Sequence, residues 1–235
     1  MPDFPTPPVT DLARIAGVTK DEMVQWLIAY YNRPDIPWNY ICGRKCIIEA
    51  YKGLHALPLL VAGCAREKNN VGRDSNEQIV TLAAPLAFGR KTQVHQLPRK
   101  QFAFGQDLRA GYNVPFFFVE DGVVRLYYVQ PRKTAGPSVD QLSMVATIHK
   151  RYLLDREFFG LPTDVEYVNL SEGPITHRRD VRVYSLSSLT LWSDQRLKER
   201  LTLITAALNE AWNSGLIIPR KRAGRRPDPD MPLFD

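Results

Sequence analysis

The run from residue 114 to 130, VPFFFVEDGVVRLYYVQ, restricts the fold more than any other part of the sequence. It holds two apolar segments joined by Asp121-Gly122. Asp-Gly is a preferred two-residue hairpin turn, because both turn positions take positive φ, which Asp and Gly tolerate. Such a turn fixes the register: Glu120 faces Val123, Phe117 faces Leu126, and at the open end Asn113 faces Gln130. One face then carries Asn113, Pro115, Phe117, Val119, Val124, Leu126, Tyr128 and Gln130, with Arg132 next if the strand continues. The other carries Val114, Phe116, Phe118, Arg125, Tyr127 and Val129. Both faces are largely apolar, so the hairpin belongs in the middle of a sheet covered on both sides.

The rest of the chain supplies the covering helices. Thr19-x-x-Glu22 is a capping box, and Val24, Leu27, Ile28 and Tyr31 follow it on one helical face, ending at Pro34. A shorter helical stretch, Asp11 to Ala16, precedes it and stops at Gly17. A helical pattern runs from Gly43 to Ala65 with a kink or break at Pro58. Residues 67–76 read as a polar loop, and 77–110 as either strand or helix. Ser138-x-x-Gln141 opens a helix to about Leu154, and strands follow over 164–170 and 180–189. Ser193 caps a last helix with Leu197, Leu201, Ile204, Leu208 and Trp212 on its apolar face. This order describes an α/β or α+β fold, a mixed sheet with a central hairpin flanked by helices. The divisions are a helical N-terminal segment (1–35), a core domain (36–215) and a basic, Pro-rich disordered tail (216–235).

At 235 residues the chain is long enough to bury a core without staples. No apolar run is long enough to span a bilayer. Residues 1–10 have neither the basic start nor the apolar stretch of a secretory signal. Three cysteines, an odd number, point to a reducing compartment, so the expected location is cytoplasmic, with no membrane partner. The net charge of +6 suits an anionic partner, nucleic acid first, although part of the excess is local to the tail.

The helical stretch, the sheet with its central hairpin and the following helix resemble the restriction-endonuclease-like fold over about residues 43–212. That family carries a Pro-Asp dipeptide near its second core strand and Glu-x-Lys on the third. The resemblance implies carboxylates that hold Mg²⁺ and a lysine that supports the attacking water. The equivalent stretches here read Val114-Pro115-Phe116 and Gln130-Pro131-Arg132. Amides lack the negative charge a hard cation needs, and Phe116 cannot ligate. Asn113, Gln130, Arg132 and Lys133 suit a phosphate better than Mg²⁺. The resemblance therefore implies a catalytically degenerate member that still contacts nucleic acid and needs no cofactor. The alternative is an active Mg²⁺-dependent nuclease in which Glu49, Asp107 and Glu120 form a displaced acidic site. The plainest alternative is that Asn113 and Gln130 are polar strand ends and Arg132-Lys133 a solvated exit.

Three shorter features bear on partners. Residues 11–20, DLARIAGVTK, resemble the helix-turn-helix of lactose-repressor-type regulators, with Ala13 permitting a close crossing and Gly17 the turn. That resemblance implies DNA reading by the second helix, but Asp21 and Glu22 in its first turn would repel phosphates. Arg90, Lys91, Arg99 and Lys100, with Phe102 and Phe104 close by, offer basic groups with aromatics on which bases stack, or else a solvated loop with two core phenylalanines. The last residues resemble the peptide by which bacterial replication and repair proteins dock on the sliding clamp, with Met231, Leu233 and Phe234 as docking residues. A protein-interaction module acting through that tail is the second alternative to a DNA-associated protein.

No phosphate loop, dinucleotide fingerprint or zinc-protease motif occurs, and the four histidines are dispersed. Cys42 and Cys46 share a helical face, but no second ligand pair follows, so they read as core and no metal site is expected.

Overall fold

A computed structural model of the chain describes residues 4–34, 36–134, 136–173 and 178–218. Along the chain the elements are α1 (Val9–Leu12), α2 (Lys20–Tyr31), α3 (Ile41–Tyr51), α4 (Leu57–Ala62), α5 (Asn70–Ala83), β1 (Gln93–His95), β2 (Gln101–Phe104), β3 (Leu108–Gly111), β4 (Phe116–Glu120) and β5 (Val123–Gln130). They continue with α6 (Val139–His149), α7 (Asp155–Glu157), β6 (Thr163–Asn169), β7 (Arg182–Tyr184) and α8 (Asp194–Asn213).

The Asp-Gly turn forms with φ of 51° at Asp121 and 75° at Gly122. It sets the expected ladder, Glu120 opposite Val123 through Phe116 opposite Tyr127. The ladder ends sooner than the sequence suggests. Asn113 is exposed with φ of 57°, outside β4, so it does not face Gln130. Pro115, which has no N–H to give to a ladder, stands just before the strand begins.

The hairpin lies inside a five-stranded mixed sheet of order β1-β4-β5-β6-β7. Only the β5–β6 pair is parallel, and α6 carries the chain between those two strands. Each face is covered. Leu126, Tyr128, Val165 and Tyr167 join the core formed with α1, α2, α6 and α8. Phe116, Phe118, Tyr127 and Val129 join the one formed with α3, α4 and α5. Tyr51 of α3 packs on Phe116, Phe118 and Tyr127 at ring-centroid distances of 5.4, 5.0 and 4.9 Å. Each such pair is worth about 0.5–1.5 kcal/mol beyond area burial, and together they lock α3 across the hairpin.

Capping chemistry sets the helix starts. Thr19 and Ser138 each accept from the backbone N–H three residues on, and Glu22 and Gln141 accept in return. Ser193 accepts from the Arg196 N–H. The Gly43–Ala65 pattern divides: α3 ends ahead of Gly53, at φ 71°, and Pro58 sits in the first turn of α4, where its missing N–H costs nothing. The polar loop expected over 67–76 is instead largely the start of α5, capped by Asn69. Its apolar period was hidden because a polar residue, Asn76, occupies the buried face. Asn76 accepts from the Gly43 N–H at 2.7 Å and donates to the Gly72 and Asn39 carbonyls. The second strand expected over 180–189 shortens to β7 and a 3₁₀ turn, Leu186–Ser188.

The N-terminal helices pack into the same core as α6 and α8 through Val9, Leu12, Met23 and Leu27. Arg200 of α8 donates to the Gly17 carbonyl at 2.8 Å and to that of Ile15, holding the turn between α1 and α2. No helix among the described residues is long and apolar enough to cross a membrane.

Candidate anion site at the ends of the parallel strands

The register of the sheet brings three polar residues into one row. Gln130 at the end of β5 pairs with Asn169 at the end of β6, and Asn169 pairs with Arg182 at the start of β7. They share the face that α6 covers, because Tyr128 and Tyr167, two residues earlier on β5 and β6, lie in its core. Gln130 is 3% exposed and Asn169 2%.

Every row residue keeps a buried donor without a hydrogen-bond partner among the described residues: Gln130 Nε2, Asn169 Nδ2 and Arg182 Nε, the last 3.9 Å from Asp180 Oδ2. Their remaining hydrogen bonds hold them in place. Asn169 Oδ1 accepts from the Ser171 N–H at 3.1 Å. Arg182 Nη2 donates to Ser171 Oγ at 2.6 Å and to the Ser171 and Glu172 carbonyls. A side chain at Gly136 would place its Cβ 2.1 Å from Ser171 Oγ and 3.3 Å from Asn169 Nδ2, so only glycine lets that backbone close over the row.

Further arginines gather around Asp11 and Arg132. Arg44 of α3 has a buried Nε without a partner. Burial lowers its pKa first; Tyr128 acts in the opposite direction, and the positive charge of Arg132 lowers it further. Arg14 is lowered by burial and then by Arg132, with Asp11 acting against them. Arg14 and Arg44 both feel the charges of Arg132 and Asp11. Asp11 is the carboxylate common to this group: it lies 3.9 Å from Arg132 Nη1 and accepts from Tyr30 Oη at 3.0 Å. Two more carboxylates stand beside the row, Glu172 paired with Lys133 at 2.9 Å and Asp180 with Arg182 at 3.9 Å. The unpaired groups of the row are all N–H donors. Donors of this kind can serve an oxyanion.

The other residues singled out from sequence are placed elsewhere or committed. Lys133 pairs with Glu172 at 2.9 Å, next to the row. Arg90 gives its guanidinium to Glu120, at 2.8 Å from both Nε and Nη2, and to Glu166, while lying over the Tyr51 and Phe118 rings. Glu120 is pulled below its usual range by Arg90 despite partial burial. This cluster is at the turn end of the hairpin, opposite the row. Lys91 and Arg99 are exposed, and Lys100 pairs with Glu157. Glu49 pairs with Lys52 at 2.9 Å on α3, and Asp107 is exposed between β2 and β3. Glu49, Asp107 and Glu120 thus form no common site. Phe102 and Phe104 are buried in the core, 3% and 7% exposed, as the core alternative expects and not as a stacking surface for bases. Met231, Leu233 and Phe234 lie outside the described residues.

Arg14, Arg44, Asn169 and Arg182 were not found from sequence. Asn169 and Arg182 become neighbours of Gln130 only through strand pairing across long intervals, which leaves no local pattern. No family model, curated protein or solved structure matches the chain.

Proposed function

We propose that the chain is a cytoplasmic DNA-associated protein that binds backbone phosphate at the Gln130–Asn169–Arg182 row, on a restriction-endonuclease-like core whose catalytic motif has degenerated. The observation that carries the reading is the set of buried N–H groups on Gln130, Asn169, Arg182 and Arg44 that have no hydrogen-bond acceptor among the described residues. Buried donors left without acceptors are costly, about 1–3 kcal/mol each, so a site that retains several is explained by a ligand that accepts from them.

The core reading draws support from connectivity. β1, β4 and β5 are antiparallel neighbours, and α6 then leads to β6 parallel to β5. Gln130-Pro131-Arg132 ends β5, the third strand of that series, where the resemblance expects Glu-x-Lys. An amide there favours an anion over a divalent cation. Docking on a sliding clamp through Met231, Leu233 and Phe234 belongs to the same proposal and rests on sequence alone.

The test is fluorescence anisotropy with single- and double-stranded DNA between about 50 and 200 mM salt, with and without Mg²⁺, followed by a gel of the same samples. Affinity that falls steeply with salt while the DNA stays intact is the expected result. Absence of binding at low salt overturns the reading. Cleavage only when Mg²⁺ is present overturns its degenerate part.

A further inference from the structure

All three cysteines of the chain meet in one place. Cys42 and Cys46 lie one turn apart on α3, and Cys64 comes from the 3₁₀ turn Gly63–Arg66 that follows α4. Their three sulfur atoms lie within 4.8 Å of one another. Cys46 and Cys64 are fully buried, and Cys42 is half-buried and opens the group to solvent. Each thiol is free, with no disulfide between them.

Sulfurs at about 2.3 Å from a tetrahedral Zn²⁺ lie roughly 3.8 Å apart. The observed triangle therefore needs to contract by about 1 Å at most. α3 and the turn after α4 form one packed core, so they already hold the sulfurs in register. Packing alone gives no reason for three thiols to converge, since a buried cysteine is replaceable as a small apolar side chain.

We propose that Cys42, Cys46 and Cys64 bind a Zn²⁺ ion through three thiolates, with a water entering from the open side of Cys42 as the fourth ligand. The ion ties the N-terminal half of α3 to the turn at 63–66. Arg44 sits between Cys42 and Cys46, so the same ion stiffens the stretch that presents Arg44. The proposal stands on the sulfur geometry and does not depend on the nucleic-acid reading.

The test uses the full chain, purified under reducing conditions and stripped with a chelator. It is titrated with Co²⁺ while the near-ultraviolet thiolate-to-cobalt charge-transfer band is followed, and then with Zn²⁺ to displace it. The expected result is a band that saturates at one equivalent, is bleached by Zn²⁺, and is lost in both Cys42→Ala and Cys64→Ala. Because Cys64 is buried, the half-buried Cys42→Ala variant serves as the folded control, checked by circular dichroism. Chelation should lower the thermal midpoint of the wild-type chain and leave that of Cys42→Ala unchanged. A wild-type chain that gives no charge-transfer band, or a band that survives in Cys42→Ala, overturns the proposal.

Discussion

Gln130 and Asn169 are register partners on adjacent parallel strands, and each keeps a buried amide nitrogen without an acceptor. A sheet selected only for stability would place apolar residues at two sites so well covered, because an unmade buried hydrogen bond costs more than an apolar replacement of similar shape. Gln130→Met preserves length and flexibility while removing the unpaired amide. It should raise stability by about 1 kcal/mol in urea denaturation and weaken DNA binding roughly tenfold. A stabilised variant with unchanged DNA affinity would reduce the amide to a polar strand end.

Arg132 is more exposed than the row, and among the described residues the carboxylate near it is Asp11, at 3.9 Å. Its contribution should be electrostatic and independent of DNA sequence. Each phosphate contact accounts for a slope near −0.9 in log affinity against log salt, so Arg132→Ala should flatten the measured slope by about one. Equal loss of affinity at every salt concentration would count against a phosphate contact.

Arg90 bridges two carboxylates that are largely covered, Glu120 and Glu166, and Tyr51 Oη donates to Glu166 as well. Removing the guanidinium leaves Glu166 without a counter-charge beside Glu120, which keeps Arg125 at 2.6 Å. Arg90→Met should cost about 2–3 kcal/mol of unfolding free energy. Adding Glu166→Gln to that background should recover part of the loss, because one of the two like charges is gone. A double variant no more stable than the single one would assign the loss to packing on Tyr51 and Phe118.

What the sequence made legible is what local chemistry decides. The hairpin register follows from a two-residue turn, and the starts of α2 and α6 follow from capping boxes, all readable within a few residues. α5 was missed because Asn76 interrupts its apolar stripe, and its two-way bonding to Gly43 and Gly72 appears only once α3 is packed beside it. Gln130 and Arg132 were found as strand-end residues, but Asn169, Arg182 and Arg44 join them through the parallel β5–β6 pairing and the path of α3. Cys64 is a similar case: the sequence shows one pair of cysteines on a helix, and the third sulfur arrives only through the turn after α4. Arg90 looked like a free cation among basic neighbours because Glu120 and Glu166 lie far from it in sequence.

His149 is fully buried at the end of α6, with Nδ1 2.7 Å from Tyr167 Oη. Burial disfavours the charged imidazole and pushes its pKa down to about 3 from an ordinary value of 6.5. The sign of the linkage follows. Above pH 6.5 neither the folded nor the unfolded chain binds the proton, and the His149 contribution is fully present. As pH falls below that value the unfolded chain takes up a proton that the folded chain refuses until about pH 3. Stability attributable to this residue should therefore decline by about 1.4 kcal/mol per pH unit across that window. His149→Gln keeps a group that can bond Tyr167 but does not titrate. Urea unfolding at stepped pH should show the wild-type chain losing stability more steeply than His149→Gln between pH 6.5 and 4, by up to one proton's worth of slope. Identical slopes for the two chains would mean that His149 takes up its proton at the same pH in the folded and unfolded chain, so burial does not lower its pKa.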